Sequence, residues 1–412
     1  MKPATARFLR LTKSTVYNTL KRPVPLGQNF KLLCKRKAQF LIKFIHSSDL
    51  HLGKPFGRFP KDVQARLRIA RAEALLRLAT LAKDHGASHI MLAGDTFDQT
   101  TPAPSVIRQA LNIMRAADHV TWVLMPGNHD HSNATELWRQ ITQDAASNVI
   151  LALDPVPLAL NIHTVVLPAP PTERHPGRDL TQWFDAAATT QSLRIGLAHG
   201  SVTEFNSSED GASSVIAPDR ARRAGLCYLG LGDWHGQLQI GPETWYSGTP
   251  EPDSFKHANA PSALLVDIAG SNAPAKVTPL PMGTIRWQRV TLNLMDINDC
   301  IAAHTNALPP LQDRALTLFD LVAKGRVGPV TRTALETACT SVEPDFLWHQ
   351  VDLGALGLDH DTTDLDLIDR QGAMRAAAQG LASESINDSL PPEIRQTAQA
   401  ALSILFSLAL ET

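Results

Sequence analysis

Five short apolar runs, each stopping at a polar loop, constrain the fold of this chain more than any other feature. Leu41–His46 ends at Ser47-Ser48-Asp49, and His89–Ala93 ends at Gly94-Asp95. Val120–Leu124 runs into Pro126-Gly127-Asn128, Leu193–Ala198 into His199-Gly200, and Cys227–Leu231 into Gly232-Asp233. Runs of this length bounded by turn residues read as buried strands. Between the first three lie helical segments, Asp62 to Asp84 with Leu67, Leu75, Leu78 and Leu81 near helical spacing, and Pro104 to Ala117. Strands alternating with helices predict an α/β sheet, whose ligands gather at the C-terminal ends of its strands. From Gln237 to Leu280 the pattern changes to short strands and turns. A further unit begins near Ile285–Arg289, with strand-like Arg289–Leu294 and Ala315–Val322 and a helix near Arg332–Ala338. Residues 366–412 read as helices. The expected division is a basic extension (1–41), a catalytic body (42–283), a small second domain (284–355) and a helical C-terminal segment (356–412).

Charge narrows the partners. Residues 1–43 hold eleven of the 39 Lys and Arg and none of the 40 Asp and Glu, so the remainder is acidic overall. A protein that held DNA by charge alone would show the opposite balance. If DNA is the substrate, metals, a local basic surface or a partner must supply the attraction. The basic start reads as a flexible tail or an early start site, with Leu41 as an alternative beginning. A transit peptide and a nucleic-acid arm are the competing readings, and Pro23, Pro25 and Gly27 interrupt the helix a transit peptide would need. Cys34, Cys227, Cys300 and Cys339 are far apart, which fits neither a disulfide framework nor a cysteine zinc site and points to a reducing cytoplasm. No apolar run reaches the roughly 18 to 20 residues of a membrane span. There is no GxxxxGK[ST] loop for nucleotide phosphates.

The polar loops carry the chemistry. Asp49-Leu-His51 can turn two ligands toward one metal. Gly94 lets the chain turn so that Asp95 stands over the sheet, where a carboxylate can bridge two cations. Asp98 reads as a helix-capping or loop-bracing carboxylate. In Gly127-Asn128-His129-Asp130, Asn128 offers an amide oxygen to a metal and His129 an imidazole to the substrate. Asp130 is placed to orient that imidazole. His199-Gly200 and Gly232-Asp233-Trp234-His235 complete the set, with Trp234 packing to fix its loop. The other histidines, His46, His85, His89, His119, His163 and His257, lack partner spacing and read as structural or exposed, and His131 as a loop residue.

The ordered set Asp49/His51, Asp95, Asn128/His129, His199, His235 resembles the calcineurin-like metallophosphoesterase superfamily. Within it, "IHSSDLHLG", "LAGDTFDQTTP", "PGNHD" and "YSGTPEP" are similar to the SbcD-type DNA repair exonucleases, over roughly Ile42 to Leu280. The resemblance implies a four-layer α/β/β/α sandwich with a small α+β cap domain and C-terminal helices. It implies a first metal held by Asp49, His51, Asp95 and His235, and a second by Asp95, Asn128, His199 and the residue at 233. That family most often has His there, in Gly-His-x-His; here it is Asp233. Two divalent cations carry four positive charges, which Asp49, Asp95, Asp233 and one hydroxide would balance; His at 233 would leave one net positive charge for a phosphate. The extra carboxylate favours harder ions, Mn²⁺ or Mg²⁺, over Zn²⁺.

The implied reaction is in-line attack by metal-bound hydroxide on a DNA phosphodiester, with His129 protonating the leaving oxygen or stabilising the transition state. The implied partner is an SMC-like coiled-coil ATPase of the AAA kind, and a homodimer is open. A basic stretch (Lys54, Arg58, Lys61, Arg66, Arg68, Arg71, Arg77) reads either as a DNA contact or as a solvated helix face. The C-terminal helix, with Ala398, Ala401, Leu402, Ile404, Leu405, Leu408 and Leu410, reads either as the ATPase dock or as packing on the chain's own cap. Two other functions compete: a phosphoesterase acting on a small ester or cyclic nucleotide, and a weakly active subunit that serves mainly to bind the ATPase.

Overall fold

The computed structural model describes residues 42–202, 215–256, 260–270, 273–294, 300–358 and 372–410. Its centre is a pair of six-stranded sheets. The strands, in chain order, are β1 (Ile42–Ser47), β2 (His89–Ala93), β3 (Thr121–Met125), β4 (Val149–Leu151), β5 (Leu158–Ala159), β6 (Thr164–Ala169), β7 (Leu193–His199), β8 (Ser201–Val202), β9 (Val215–Ile216), β10 (Tyr228–Gly232), β11 (Leu238–Gln239), β12 (Thr244–Tyr246), β13 (Ser262–Ile268) and β14 (Lys276–Pro281). The first sheet runs β14-β13-β1-β2-β3-β4 and the second β11-β12-β10-β7-β6-β5, while β8 and β9 pair separately. β1, β2, β3 and β4 are mutually parallel, as are β6, β7, β10 and β12, so their C-terminal ends share one edge.

Alternation within β1 shows how the layers form. Ile45 faces the cluster built with helices α1 (Lys61–His85), α2 (Pro104–Ala116) and α3 (Thr135–Asp144). Phe44 and His46 point the other way, to Tyr228 on β10 of the second sheet. His46 Nδ1 is 2.9 Å from the Tyr228 hydroxyl, a buried polar link between the sheets. Of the leucines that mark the amphipathic face of α1, Leu67, Leu75 and Leu78 are buried and Leu81 packs partly buried against the same cluster. The outer face of the second sheet is covered by a short helix at Arg220–Arg223 and a 3₁₀ turn at Gln182–Ala186, through Ala221 and Phe184. This mixed α/β arrangement, sheets flanked by helices, is that of a metallophosphoesterase-like sandwich.

A third sheet of parallel strands, β15 (Arg286–Leu294), β16 (Thr317–Val327) and β17 (Trp348–Leu358), has its own core around Phe319, Leu321 and Leu335. Parallel neighbours need crossover connections, supplied by helices at Cys300–Ala307 and Pro329–Val342. Glu251 ties this region to the first sheet: its carboxylate accepts the Thr284 and Ile285 N–H groups and pairs with Arg77. Helices Ala373–Ser385 and Pro392–Leu410 pack on each other through Ala378 and Leu402. The expected helical stretch at 366–371, and His257, lie outside the described residues. No described helix is long and apolar enough to cross a membrane.

Candidate metal centre

The predicted ligands meet on the shared edge of the two sheets. Asp49 and His51 follow β1, Asp95 follows β2, Asn128 and His129 follow β3, His199 ends β7, and Asp233 and His235 follow β10. Among the described residues three donor groups could each hold a cation: Asp49–His51–His235, His51–Asp95–His129 and Asp49–Asp95–His199. They overlap, so the site is one continuous cluster.

The backbone that presents these groups is unusual. Five described residues other than glycine have positive φ, and four of them are Asp49 (55°), His51 (44°), Asp95 (52°) and Asp233 (95°). L-residues avoid this region at a cost of about 1 kcal/mol or more each, and it persists where surrounding contacts over-determine it. Arg71 supplies such contacts. Its guanidinium, almost fully buried in α1, donates to the carbonyls of Asp49 (3.4 Å), Leu50 (2.5 Å) and Glu251 (3.1 Å). Two glycines permit the close approach of the loops. A Cβ on Gly94 (φ 92°) would sit 2.3 Å from His199 Nδ1, and one on Gly127 would sit 2.1 Å from Asp95 Oδ1.

Three of the four histidines, His129, His199 and His235, are braced on Nδ1. His199 Nδ1 lies 2.8 Å from the Ala93 carbonyl and His129 Nδ1 2.8 Å from the Asp98 carbonyl. A carbonyl only accepts, so both Nδ1 atoms carry the proton and, in the neutral ring, leave Nε2 as the lone-pair donor. His235 Nδ1 is 3.2 Å from Asp253 Oδ1; His51 Nδ1 is 3.1 Å from Asp98 Oδ1, a close contact without hydrogen-bond geometry. The Nε2 atoms of His51 and His235 then stand 3.2 Å apart, and His235 Nε2 is 3.8 Å from Asp49 Oδ1. Asp95 Oδ2 lies 3.5 Å from His51 Nε2 and 3.6 Å from His199 Nε2, while its Oδ1 accepts the His129 N–H. One oxygen, rather than the two expected from a bridging carboxylate, therefore faces both halves of the cluster.

These separations fit a metal pair. Donors bound to one cation at about 2.0–2.2 Å stand roughly 3–3.6 Å from each other. Asn128 gives an independent indication: its Nδ2 donates to Asp233 Oδ1 at 3.2 Å, but its Oδ1 is buried without a hydrogen-bond partner. A buried amide oxygen is normally satisfied, and a cation would satisfy this one. Asp233 faces the same half of the cluster, with Oδ1 3.9 Å from His199 Nε2 and Oδ2 accepting the Ser201 hydroxyl at 3.1 Å.

Protonation follows burial and charge. Burial, with the neighbouring positive groups of His235, Arg71 and Lys54, holds His51 well below the ordinary imidazole value, so it is neutral. Burial pushes Asp95 well above the carboxylate range, with Asp130 and Asp49 adding to the effect and His199 opposing it. Burial also acts to lower His199, but the carboxylates of Asp95, Asp49 and Asp233 overcome it and raise the imidazole to about 9. Without cations, protons therefore neutralise part of the buried negative charge, the task divalent ions would take over.

Three expectations need correcting. Asp130 does not orient His129: its carboxylate turns back to accept the N–H groups of Gly127 (2.6 Å) and Phe97 (2.9 Å), fixing the two loops together. The brace on His129 is the Asp98 carbonyl, and the Asp98 carboxylate lies 3.1 Å from His51 Nδ1. The basic stretch is not a uniform surface either. Arg71 is interior and Arg77 pairs with buried Glu251, while Lys54 binds Asp253 at 2.9 Å. Trp234 is half-exposed and does not pack its loop into the core. Asp253, which contacts His235, was not flagged by the sequence pattern, and Arg71 was read only as part of the basic stretch, not as the support of the Asp49 loop. Asp253 lies just beyond the "YSGTPEP" segment, and a carboxylate beside that motif was the available signal. The same segment sends the Thr249 hydroxyl to the Asp49 carbonyl at 2.9 Å.

The fold and this donor set define a metal-dependent phosphoesterase. Residues 42–226 match the family model described as calcineurin-like phosphoesterase. It is 25% identical over 293 residues to the D chain of the SbcCD nuclease of Bacillus subtilis (strain 168), spanning 61% of this chain and 70% of that one. It is 29% identical over 96 residues to the "Uncharacterized metallophosphoesterase YhaO" of the same organism, 22% of this chain and 23% of that one. Among solved structures, TT1561 of Thermus thermophilus aligns with a TM-score of 0.39 at 13% identity, over 58% of this chain and 99% of that one.

Proposed function

We propose that the chain is a two-metal phosphodiesterase that hydrolyses DNA, acting as the nuclease subunit beside a coiled-coil ATPase. The observation that carries the two-metal part is the bracing of His129, His199 and His235 through Nδ1, which with His51 turns Nε2 atoms toward a centre built around Asp95 Oδ2. In this reading Asp49, His51, Asp95 and His235 hold the first cation, and Asp95, Asn128, His199 and Asp233 the second, with Mn²⁺ or Mg²⁺ resident. Bound there, two divalent ions lower the pKa of a water and stabilise negative charge on phosphoryl oxygens.

The chain's own groups do the rest. His129 is held below the ordinary imidazole value by burial, against the Asp98 carbonyl, with Arg174 adding to the lowering. Its Nδ1–H is fixed on that carbonyl, so only the doubly protonated ring carries an Nε2–H; in that imidazolium form Nε2 hands its proton to the leaving oxygen, or hydrogen-bonds it as charge develops, and the lowering makes the proton easier to release. Asp130 acts as a positioning group through Gly127 and Phe97. The sheet β15–β17 is assigned as the cap, and the C-terminal helices, with Ile394 and Ile404 exposed, as the ATPase-facing segment. Likeness to a nuclease chain supports DNA over a small ester.

The test is an assay on end-labelled linear and on circular DNA with Mn²⁺, Mg²⁺ or Zn²⁺ in turn. Metal-dependent cleavage of DNA is expected. Hydrolysis of an aryl phosphodiester with no action on either DNA would select the small-substrate reading instead.

A further inference from the structure

The groove between the two sheets does not end at the metal centre. β3 is flanked by β4 in the first sheet, and β7 by β6 in the second. At the C-terminal ends of β4 and β6, one strand beyond the loops that carry His129 and His199, a cleft of about 580 Å³ opens. That volume falls in the range of small-molecule sites, about 300–1,000 Å³. One wall is Ser132 and Asn133, which continue the His129 loop. The opposite walls are Asp154 and Pro155 after β4, Pro170 and Thr172 after β6, and Arg178, Asp179 and Trp183. The two loops are tied together where they meet, by the Ser132 N–H donating to the Pro171 carbonyl at 2.8 Å.

The lining is mixed in a specific way. Trp183 is half-buried, its indole N–H donating to the Pro168 carbonyl at 3.2 Å, and with Leu180 and Pro155 it offers flat apolar surface. Asn133 and Gln182 carry amides able both to donate and to accept. Arg178 stands at the cleft and Arg174 follows the same β6 strand, close enough for its charge to act on His129. Both are exposed, and neither forms an ion pair among the described residues. Two carboxylates also line the cleft, but Asp179 is committed to Arg220 at 2.7 Å, so Arg174 and Arg178 outweigh the remaining Asp154 and make this end of the groove a local anion site.

We propose that this cleft binds the nucleoside on the leaving-group side of the scissile phosphate, the base against Trp183 and the adjoining phosphate on Arg174 and Arg178. The assignment rests on the phosphodiesterase reading, because it is His129 that defines the leaving-group side. A base has a π-face for Trp183 and edge donors and acceptors for the amides, and guanidinium forks match phosphate oxygens. The cleft reads a single unit next to the cut and imposes no sequence on the rest of the strand.

Thymidine 5′-monophosphate tests this on the full chain in EDTA, so that metal ligation contributes nothing, with saturation-transfer NMR reporting contact and a titration giving the Kd. Saturation of the thymine protons is expected. Arg178→Glu, at an exposed position, is expected to weaken the Kd at least fivefold, and Trp183→Leu to remove saturation of the base. If Trp183→Leu is misfolded by circular dichroism, Asn133→Ala replaces it, with at least a threefold loss expected. Absence of binding, or binding unchanged in Arg178→Glu and Asn133→Ala, overturns the proposal. Hydrolysis of bis(p-nitrophenyl) phosphate by the wild-type chain with Mn²⁺ is measured alongside. No hydrolysis with binding intact would overturn the phosphodiesterase reading and the leaving-group placement while the nucleotide site stands.

Discussion

Removing the Asp253 carboxylate should loosen one of the two cations and leave the other alone. Asp253 Oδ1 is 3.2 Å from His235 Nδ1, and Oδ2 is 2.9 Å from Lys54 Nζ and 3.9 Å from an Arg71 nitrogen. Its side chain is 6% exposed, so solvent cannot replace it freely. A carboxylate on the far nitrogen of a metal-binding imidazole fixes tautomer and ring angle, and its loss costs roughly 10–100-fold in metal affinity. That corresponds to about 1.4–2.7 kcal/mol. His51, the other imidazole assigned to the same cation, does not touch Asp253 and stays beside the Asp98 carboxylate, so the loss should stay within that range. Titration calorimetry with Mn²⁺ on Asp253→Ala should show one weakened site and one unchanged. Asp253→Asn, which retains an oxygen for His235 Nδ1, should recover part of the affinity. The decisive comparison is His235→Ala with and without Asp253→Ala. If Asp253 acts through His235, adding the second change should alter the remaining affinity by no more than about twofold. A full tenfold or greater loss in the His235→Ala background would show that Asp253 works through Lys54 and Arg71, and would refute the coupling.

Other outcomes follow from the same geometry. His129→Ala should retain two cations per chain by metal analysis yet lose about 10²–10⁴ in kcat, and full activity would remove it from the reaction. Asp233→His should raise Zn²⁺ affinity relative to Mn²⁺ by about tenfold in a competition titration, since an imidazole suits the softer ion; an unchanged preference would argue against ligation at 233. His46, lowered to about 3 by burial, against a backbone contact with Leu231, is neutral in the folded chain. As pH falls the unfolded chain takes up that proton first, so the contribution of neutral His46 is complete above about 6.5 and shrinks from there down to about 3. The linkage is about 2 kcal/mol at pH 5. Thermal unfolding from pH 7 to 5 should show this slope, and His46→Gln should flatten it; an equal slope in both proteins would contradict the assignment.

The sequence reveals the site's composition better than its wiring. The loops after β1, β2, β3, β7 and β10 were legible because buried parallel strands leave plain apolar runs and because Gly94 and Gly127 stand where two loops nearly touch. Four of the five strands have limits moved by one residue, to Ile42–Ser47, Thr121–Met125, Leu193–His199 and Tyr228–Gly232, within ordinary fraying. β17 was not foreseen: Asp352, Gly354 and Gly357 break the apolar alternation that marks a strand, and its partner β16 supplies the pairing instead. α3 and the short strands β4 and β5 were missed for similar reasons of length and mixed polarity. The role of Asp130 was misread because neighbours in sequence suggest partners. The backbone turn sends its carboxylate back to Gly127 and Phe97, and a carbonyl 31 positions away takes the imidazole. Arg71 illustrates the same limit, since a charged helix position reads as solvated until the three carbonyls that receive it are known.

Anomalous diffraction from crystals grown with Mn²⁺ goes straight to the pairing of cations about Asp95. Two peaks per chain are expected, about 3.5–4 Å apart, with Asp95 Oδ2 between them, one near His51 and His235 and the other near Asn128 and His199. A single peak, or two that do not share Asp95, would contradict the account.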